Sequence, residues 1–461
     1  IMVQPNAGGT GVTYHALILK EKQGYSKLVL AKEKDYSKAL CVLKAGEWSP
    51  WFKETFTVKG ERKVGTVRFK LVKLFRDGKR MLLYRSQVYP VSGFTYPTEI
   101  SEELVDKFGP YINEAAGHLF IKKRLIDEET MVEELEYQIE WVAKAAKYLV
   151  DKYEASIYMM HWHFIDTLQH FVLGLADTQG GKYSPETAEE AWRLLRLGYK
   201  LADKLVGKFL EYLDEETYLI VVSDHGNAPN RKRYSIIKPL AEKGLIKIEE
   251  ENGVKRINWA ESKIYIDLTN IYVNLKSRYP NGTVEDTEYE KIRNQVIDTL
   301  RSLKDEDGEY VVALALKRED APLIGLWGKH VGDIVFAYSP GYTWGHLTID
   351  GGPAKVGGAN HGPQIPTAET EISSNYATFI ITGKNIKKGY KRPTDFLGPI
   401  HLTDIAPTIS HILGIKPPRH SQGKILHDFF QEWDITEAKR PKTPLKFPKK
   451  EPITGDVTDQ K

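Results

Sequence analysis

Cysteine is nearly missing from this chain: Cys41 is the only one in 461 residues. That excludes an intrachain disulfide and a thiolate zinc cluster, and it fits a reducing interior. Any metal must therefore be held by His, Asp and Glu. Long apolar runs are missing too, since stretches such as YLIVV and VVALAL fall far short of the ~20 residues of a membrane helix. No signal-peptide pattern opens the chain, so no membrane partner is expected and the chain reads as cytoplasmic. An excess of either charge is also absent: 65 basic residues face 62 acidic ones, leaving a net charge of +3. This balance argues against nucleic acid or an anionic membrane as the main partner and makes any anion recognition local. There is no internal repeat. There is no G-x-S-x-G elbow either, and Ser223 precedes Asp224 rather than sitting between glycines, which makes a serine hydrolase a poor fit.

What is present is the composition of a soluble globular protein, with 41% apolar and 28% charged residues. The length suits one large α/β domain with insertions, or two to three ordinary domains. Abundant Lys and Glu beside five Met resembles heat-adapted proteins. The Asn281-Gly282-Thr283 sequon reads more simply as a turn after Pro280.

Short alternating runs between residues 13 and 100 (YHALILK, KLVLAK, TVRFKLVKLF, RMLLYRSQV) predict strands, and a β-rich region is expected over 1–115. A loop and short helix follow in YPTEISEELVDKFGPY, with Ser101 as a candidate cap. Met131, Leu135, Ile139, Val142, Ala145 and Leu149 recur at helical spacing between Glu128 and Lys152. ASIYMMHWHF then reads as a buried strand. Ser184-Pro185 opens a second long helix running to about Leu213, with Trp192, Leu195, Tyr199, Ala202, Leu205, Val206 and Phe209 on one stripe. The strand-like TYLIVVSDHGN follows. Helix, strand, helix, strand, with uncharged strands, predicts an α/β fold with a mostly parallel central sheet covered by helices on both faces. The core is expected over 116–228, a mixed α/β insertion or cap over 229–345, and a return to the core over 346–432. The Lys- and Pro-rich tail 433–461 is expected to be extended unless it docks.

Three contexts among the 13 histidines carry possible chemistry. In SDHG, Asp224 and His225 stand at the carboxyl end of a strand, where open sheets bind substrates. Strand neighbours point to opposite faces, so the two converge on one ion only if the chain turns at once, as Gly226 permits; an Asx-type turn with a surface His is the bland alternative. In HFIDTLQH, Asp166 and His170 are four apart and share a helical face, unless Asp166 merely caps. His161 and His163 alternate just before them and read as packing or supporting residues. In KVGGANHGPQIP, His361 sits in a glycine-rich loop, where a lone His is usually just surface. Arg231-Lys232-Arg233 could contact a phosphate, although a solvated charge cluster is the simpler reading.

D-x-x-x-H, then a strand ending in S-D-H-G, then a downstream H-G loop, in that order, resembles the alkaline phosphatase superfamily. Within it, GEWSPWFKETF, LYRSQVYP, FIDTLQHF, VVSDHGN, IYVNLKSR, GGANHG and TDIAPTISHILGIKPP look most like the type I phosphodiesterase and nucleotide pyrophosphatase group, particularly its predicted phosphohydrolase or phosphomutase branch. The resemblance implies two divalent ions at the carboxyl edge of a central sheet, with Asp166, His170 and His361 on one and Asp224 and His225 on the other. Mixed imidazole and carboxylate ligands suit zinc, and manganese or iron could occupy them. The implied function is metal-dependent phosphoryl transfer on a small-molecule phosphodiester or nucleotide. A phosphomutase, or a non-catalytic member that binds metal or anion, is the alternative.

One part of the family pattern is not found: an apolar strand ending in a metal-binding Asp, followed by a Thr, Ser or Cys nucleophile at a helix start. Asp35 follows a strand without such a motif, and Thr10 lacks a preceding apolar strand. The expectation is that these residues are the larger carboxyl-terminal part of a longer protein, whose remainder carries the first strands, one carboxylate and the nucleophile.

Overall fold

The computed structural model describes residues 1–113, 115–345, 349, 354–365 and 373–432. The expected Lys/Pro tail lies outside them, as does part of the expected return to the core. The described chain is mixed α/β and divides into two compact units. One joins the described residues of Ile1–Tyr212 and His225–Thr378; the other joins Leu213–Asp224 to those from Phe379 onward.

The first unit opens with the strands its alternation predicts. His15–Glu21, Gly24–Ala31 and Ala39–Lys44 form one antiparallel sheet, and Phe52–Val58 pairs with Glu61–Val67. Helices α1 (Ile100–Phe108), α2 (Ala115–Ile121), α3 (Glu128–Tyr153), α4 (Phe164–Ala176) and α5 (Pro185–Leu210) follow. Ser101 is not the cap of α1. It lies inside the helix, and its hydroxyl donates back to the Thr98 carbonyl at 2.7 Å. The α3 helix starts where Asp127 accepts from the Thr130 N–H, and Glu128 and Glu129 favour the positive end of its dipole. Its predicted face, Met131 to Ala145, is buried.

Helix α5 begins at the expected Ser184-Pro185 with a capping box to Thr187, but its buried stripe is rotated from the predicted one. Ala188, Ala191, Leu194, Leu195, Gly198, Leu201 and Leu205 face inward, while Trp192 and Tyr199 are exposed. Small residues decide this, because a Cβ on Gly198 would overlap Leu168 of α4. The two aromatics instead flank α4 with polar handles: Trp192 Nε1 donates to the Ala176 carbonyl at 3.1 Å, and Tyr199 Oη accepts from Gln169 at 2.9 Å.

Two further expectations fail. ASIYMMHWHF is not a buried strand: residues 155–163 belong to no ladder, and Ile157, Tyr158, Met159 and Met160 are exposed. Nor do the described residues form a mostly parallel central sheet. Every ladder between strands is antiparallel except Lys232–Tyr234 with Tyr342–Trp344. In the second unit the strand Leu219–Val222 exists as predicted, but it pairs antiparallel with Phe379–Thr382 and is only partly buried. Hydrophobic alternation reports burial and period, not the direction of the partner strand.

Residues 229–345 build a core of their own around a four-stranded antiparallel sheet (Ile264–Asp267, Asn270–Val273, Ile334–Tyr338, Val312–Lys317) covered by a helix at Tyr289–Arg301. In the second unit, Ile405–Ile412 is helical and stops near Gly414, which has φ of +65°. Among the described residues, no helix is long and apolar enough to cross a membrane.

The β-rich region is tied to α3 by a buried ion pair. Arg68 donates to Glu134, and its guanidinium lies 4.0 Å from the Trp48 ring, 4.5 Å from Trp51 and 4.7 Å from Tyr137. Burial pushes the Glu134 carboxyl up against the pull of Arg68. Glu134→Ala would strand the guanidinium and is expected to destabilise the protein by about 3–5 kcal/mol. Urea unfolding of the two proteins checks this, and a difference within experimental error would remove the pair from the list of stabilising contacts.

Candidate metal centre

Helix α4 brings the first two candidates together. Phe164, Thr167, Leu168, Val172 and Ala176 are buried, which turns Asp166 and His170, one turn apart, to the other side. A third candidate comes from far along the chain. Gly358 (φ +82°) lies against α4 so closely that a Cβ on it would overlap the His170 carbonyl, and a Cβ on Gly174 would overlap Gly358. Ala359–Asn360 then pairs with Ala228–Pro229, and the Asn230 N–H donates to the Gly358 carbonyl at 3.0 Å. The next residue is His361.

The result is a cluster in which ligand atoms of Asp166, His170 and His361 all lie within 4.8 Å of one another. His170 Nε2 is 3.2 Å from Asp166 Oδ2, and His361 Nε2 is 3.6 Å from Oδ1. His170 Nδ1 donates to the Ala359 carbonyl at 2.7 Å, which orients the ring and aims Nε2 at Asp166. Burial raises the Asp166 carboxyl, but hydrogen bonds from His170 and Asn227 together outweigh it and hold the group well below the usual carboxylate range. The same bond to Asp166 raises His170 against its own burial. An ionised carboxylate beside two imidazole nitrogens is the donor set that a divalent transition metal takes. The cluster lines a cavity of about 550 Å³ together with His118, His163, Phe171 and Asn230.

His225 joins this group differently. Its ring stacks on His361 with centroids 3.5 Å apart, and its Nδ1 donates to the Gly226 carbonyl at 2.9 Å. Gly226 is needed, but not for positive φ. Its N–H donates to the Ser374 carbonyl at 2.7 Å, and a Cβ would overlap the Tyr376 carbonyl. Asp224 is exposed and is the last residue of the second unit's first segment. The basic run takes the bland role: Arg231 pairs with Glu309, and Lys232 with Asp305 and Asp307.

A family model for type I phosphodiesterase / nucleotide pyrophosphatase matches residues 51–363, a span that holds Asp166, His170, Asp224, His225 and His361. The chain belongs to that family, and through it to the alkaline phosphatase superfamily. It is a family of hydrolases that act on phosphoester bonds, which suggests a small-molecule phosphoester as substrate. Comparison with curated proteins gives no match.

Three further neighbours complete the cluster: Asn227 and His118 had no role in the sequence reading, and His163 was read there as a packing or supporting residue. Asn227 donates to Asp166 Oδ1 at 3.1 Å and to Gln169 at 2.9 Å; its position two residues after His225 was the available signal. His163 Nε2 lies 2.8 Å from Asp166 Oδ2. His118, which packs edge-on against Phe171, had no signal at all.

The glycine contact can be tested directly. Gly358→Ala combines a left-handed backbone with an overlap against α4, and is expected to weaken zinc binding at least tenfold while costing about 1–3 kcal/mol of stability. Gly357→Ala meets only side-chain atoms and serves as the control. Competition with a chelating dye, run beside thermal melts, measures both. Equal zinc affinity in the two variants would mean that the loop does not position His361.

Proposed function

We propose that this chain carries the metal centre of a phosphohydrolase that cleaves phosphodiester or nucleotide pyrophosphate bonds. The observation that carries the reading is the convergence of Asp166, His170 and His361 inside the segment that matches the family. We assign these three to one divalent ion, and Asp224 and His225 to a second by the family resemblance, with zinc as the first choice and manganese as the alternative. The donor set supports this, because each imidazole can present an Nε2 while Nδ1 of His170 and His225 is engaged by a carbonyl.

Ions held there would supply the positive charge that polarises a phosphoryl oxygen and stabilises the leaving oxygen. The chain's own residues prepare the place. Asp166 stays ionised because Asn227 and the imidazoles favour its charged form. The Ala359 carbonyl fixes the tautomer of His170. Asn230 and Phe171 bound the cavity in which the rest of a substrate would sit, and we assign residues 229–345 as a cap region.

The full-length protein, loaded with zinc or manganese and carrying the expected nucleophile segment, is expected to hydrolyse bis-p-nitrophenyl phosphate faster than p-nitrophenyl phosphate. Chelation, Asp166→Ala or His361→Ala should lower that rate by at least a hundredfold. Faster monoester hydrolysis would overturn the diesterase assignment. Inactivity on both, with metal content unchanged in the two variants, would overturn the metal centre itself.

A further inference from the structure

The cluster has a second face. Residues 155–163 run exposed and outside any ladder, and at their end His161 and His163 project from alternate positions immediately before α4. Their ring centroids are 5.4 Å apart, and His163 Nε2 lies 2.8 Å from Asp166 Oδ2. The side chain of His163 is 56% exposed against 13% for Asp166, so solvent reaches this face of the carboxylate through the imidazoles.

Imidazole nitrogens on one tetrahedral ion lie about 2.0–2.1 Å from it, which places the two ring centroids about 5.2 Å apart. The pair already assigned to an ion, His170 and His361, has 5.2 Å, and His161 with His163 nearly repeats it. Ring spacing alone does not make a site, since packed aromatic rings fall in the same range. His411 and His427 show this: their centroids are 5.1 Å apart, but His411 also packs on Phe430, and the adjacent Asp428 is taken by Arg392 and Tyr390. The pair at 161 and 163 differs in that His163 contacts a carboxylate whose other partners are an imidazole and an amide rather than a guanidinium, on a face open to solvent.

We infer that His161, His163 and Asp166 Oδ2 form an auxiliary site for an imidazole-preferring divalent cation, sharing its carboxylate with the candidate centre. The ligand atoms of His161 are not gathered with those of His163 and Asp166 in the way those of His170 and His361 are, so binding requires the exposed His161 side chain to turn toward the carboxylate. The carboxylate bridges the two sites: Oδ2 faces His163 and His170 together, while Oδ1 faces His361 and Asn227. The inference rests on reading Asp166 as a metal ligand.

Equilibrium dialysis of the full chain against zinc, with metal counted by mass spectrometry, tests it. The double variant H161A/H163A is expected to bind one ion fewer per chain than the unaltered protein, with its melting curve unchanged because both imidazoles are exposed. The conservative variant H163Q should lose the same ion, and cobalt spectra should show one fewer histidine-bound centre. An unchanged ion count in H161A/H163A would overturn the auxiliary site. H361A separates the two readings. A lost ion there, with the count unchanged in H161A/H163A, keeps only the candidate centre; the reverse pattern keeps only the auxiliary site.

Discussion

Without side chains at Gly174 and Gly358, the chain at 356–361 lies directly on α4, and that contact sets where His361 stands relative to Asp166 and His170. One helix turn supplies two ligands on a face, and a third must come from elsewhere. Here it comes from a loop whose backbone approaches more closely than any side chain allows. The bond from His170 Nδ1 to the Ala359 carbonyl then works in both directions: it orients the imidazole and holds the loop two residues before His361. Ligand placement and backbone packing are thus one contact, and a bulkier residue at either glycine would disturb both.

The same economy of size appears one layer further out. Gly198 lets α5 close on Leu168, and this seats α4 with its apolar face buried and Asp166 and His170 on the opposite side. Trp192 and Tyr199 then lie along the flanks of α4, bonded to the Ala176 carbonyl and to Gln169. Gln169 in turn accepts from Asn227, which also donates to Asp166. A polar chain therefore runs from the exposed edge of α5 to the carboxylate, along the side of α4 that the buried stripe leaves open.

How much of this could be read from the sequence depended on whether the cause was local. The i,i+4 pairing of Asp166 with His170, the apolar face of α3, the start of α5 at Ser184-Pro185 and the glycine-rich setting of His361 are all local, and all were legible. The rotation of the α5 stripe was not, because it follows from the absence of a side chain at Gly198, and large apolar residues dominate any count of hydrophobic period. Residues 155–163 misled for a related reason. An apolar run predicts burial only where a partner covers it, and the pattern does not contain the partner. A second reason for Gly226 could not be read from the sequence: the position is needed for close approach to the Tyr376 carbonyl, which lies far away in sequence.

The electrostatics of Asp166 connect the fold to the chemistry. Burial alone would favour its neutral form, yet His163 and His170 lie at Oδ2, Asn227 donates to Oδ1, and the His361 ring stands 3.6 Å from Oδ1. A carboxylate so surrounded can accept an ion only as its neighbours rearrange, and these differ in how they can yield. Asn227 offers an amide nitrogen, which has no free lone pair to give, so it stays as an outer partner that holds the carboxylate in place. His170 keeps its anchor at the Ala359 carbonyl while Nε2 changes role from donor to ligand. His361 is held by the glycine loop and by stacking on His225, so its Nε2 can meet an ion without moving far. The cluster is therefore preorganised for metal, with imidazole nitrogens already gathered about the oxygens whose charge an ion would share.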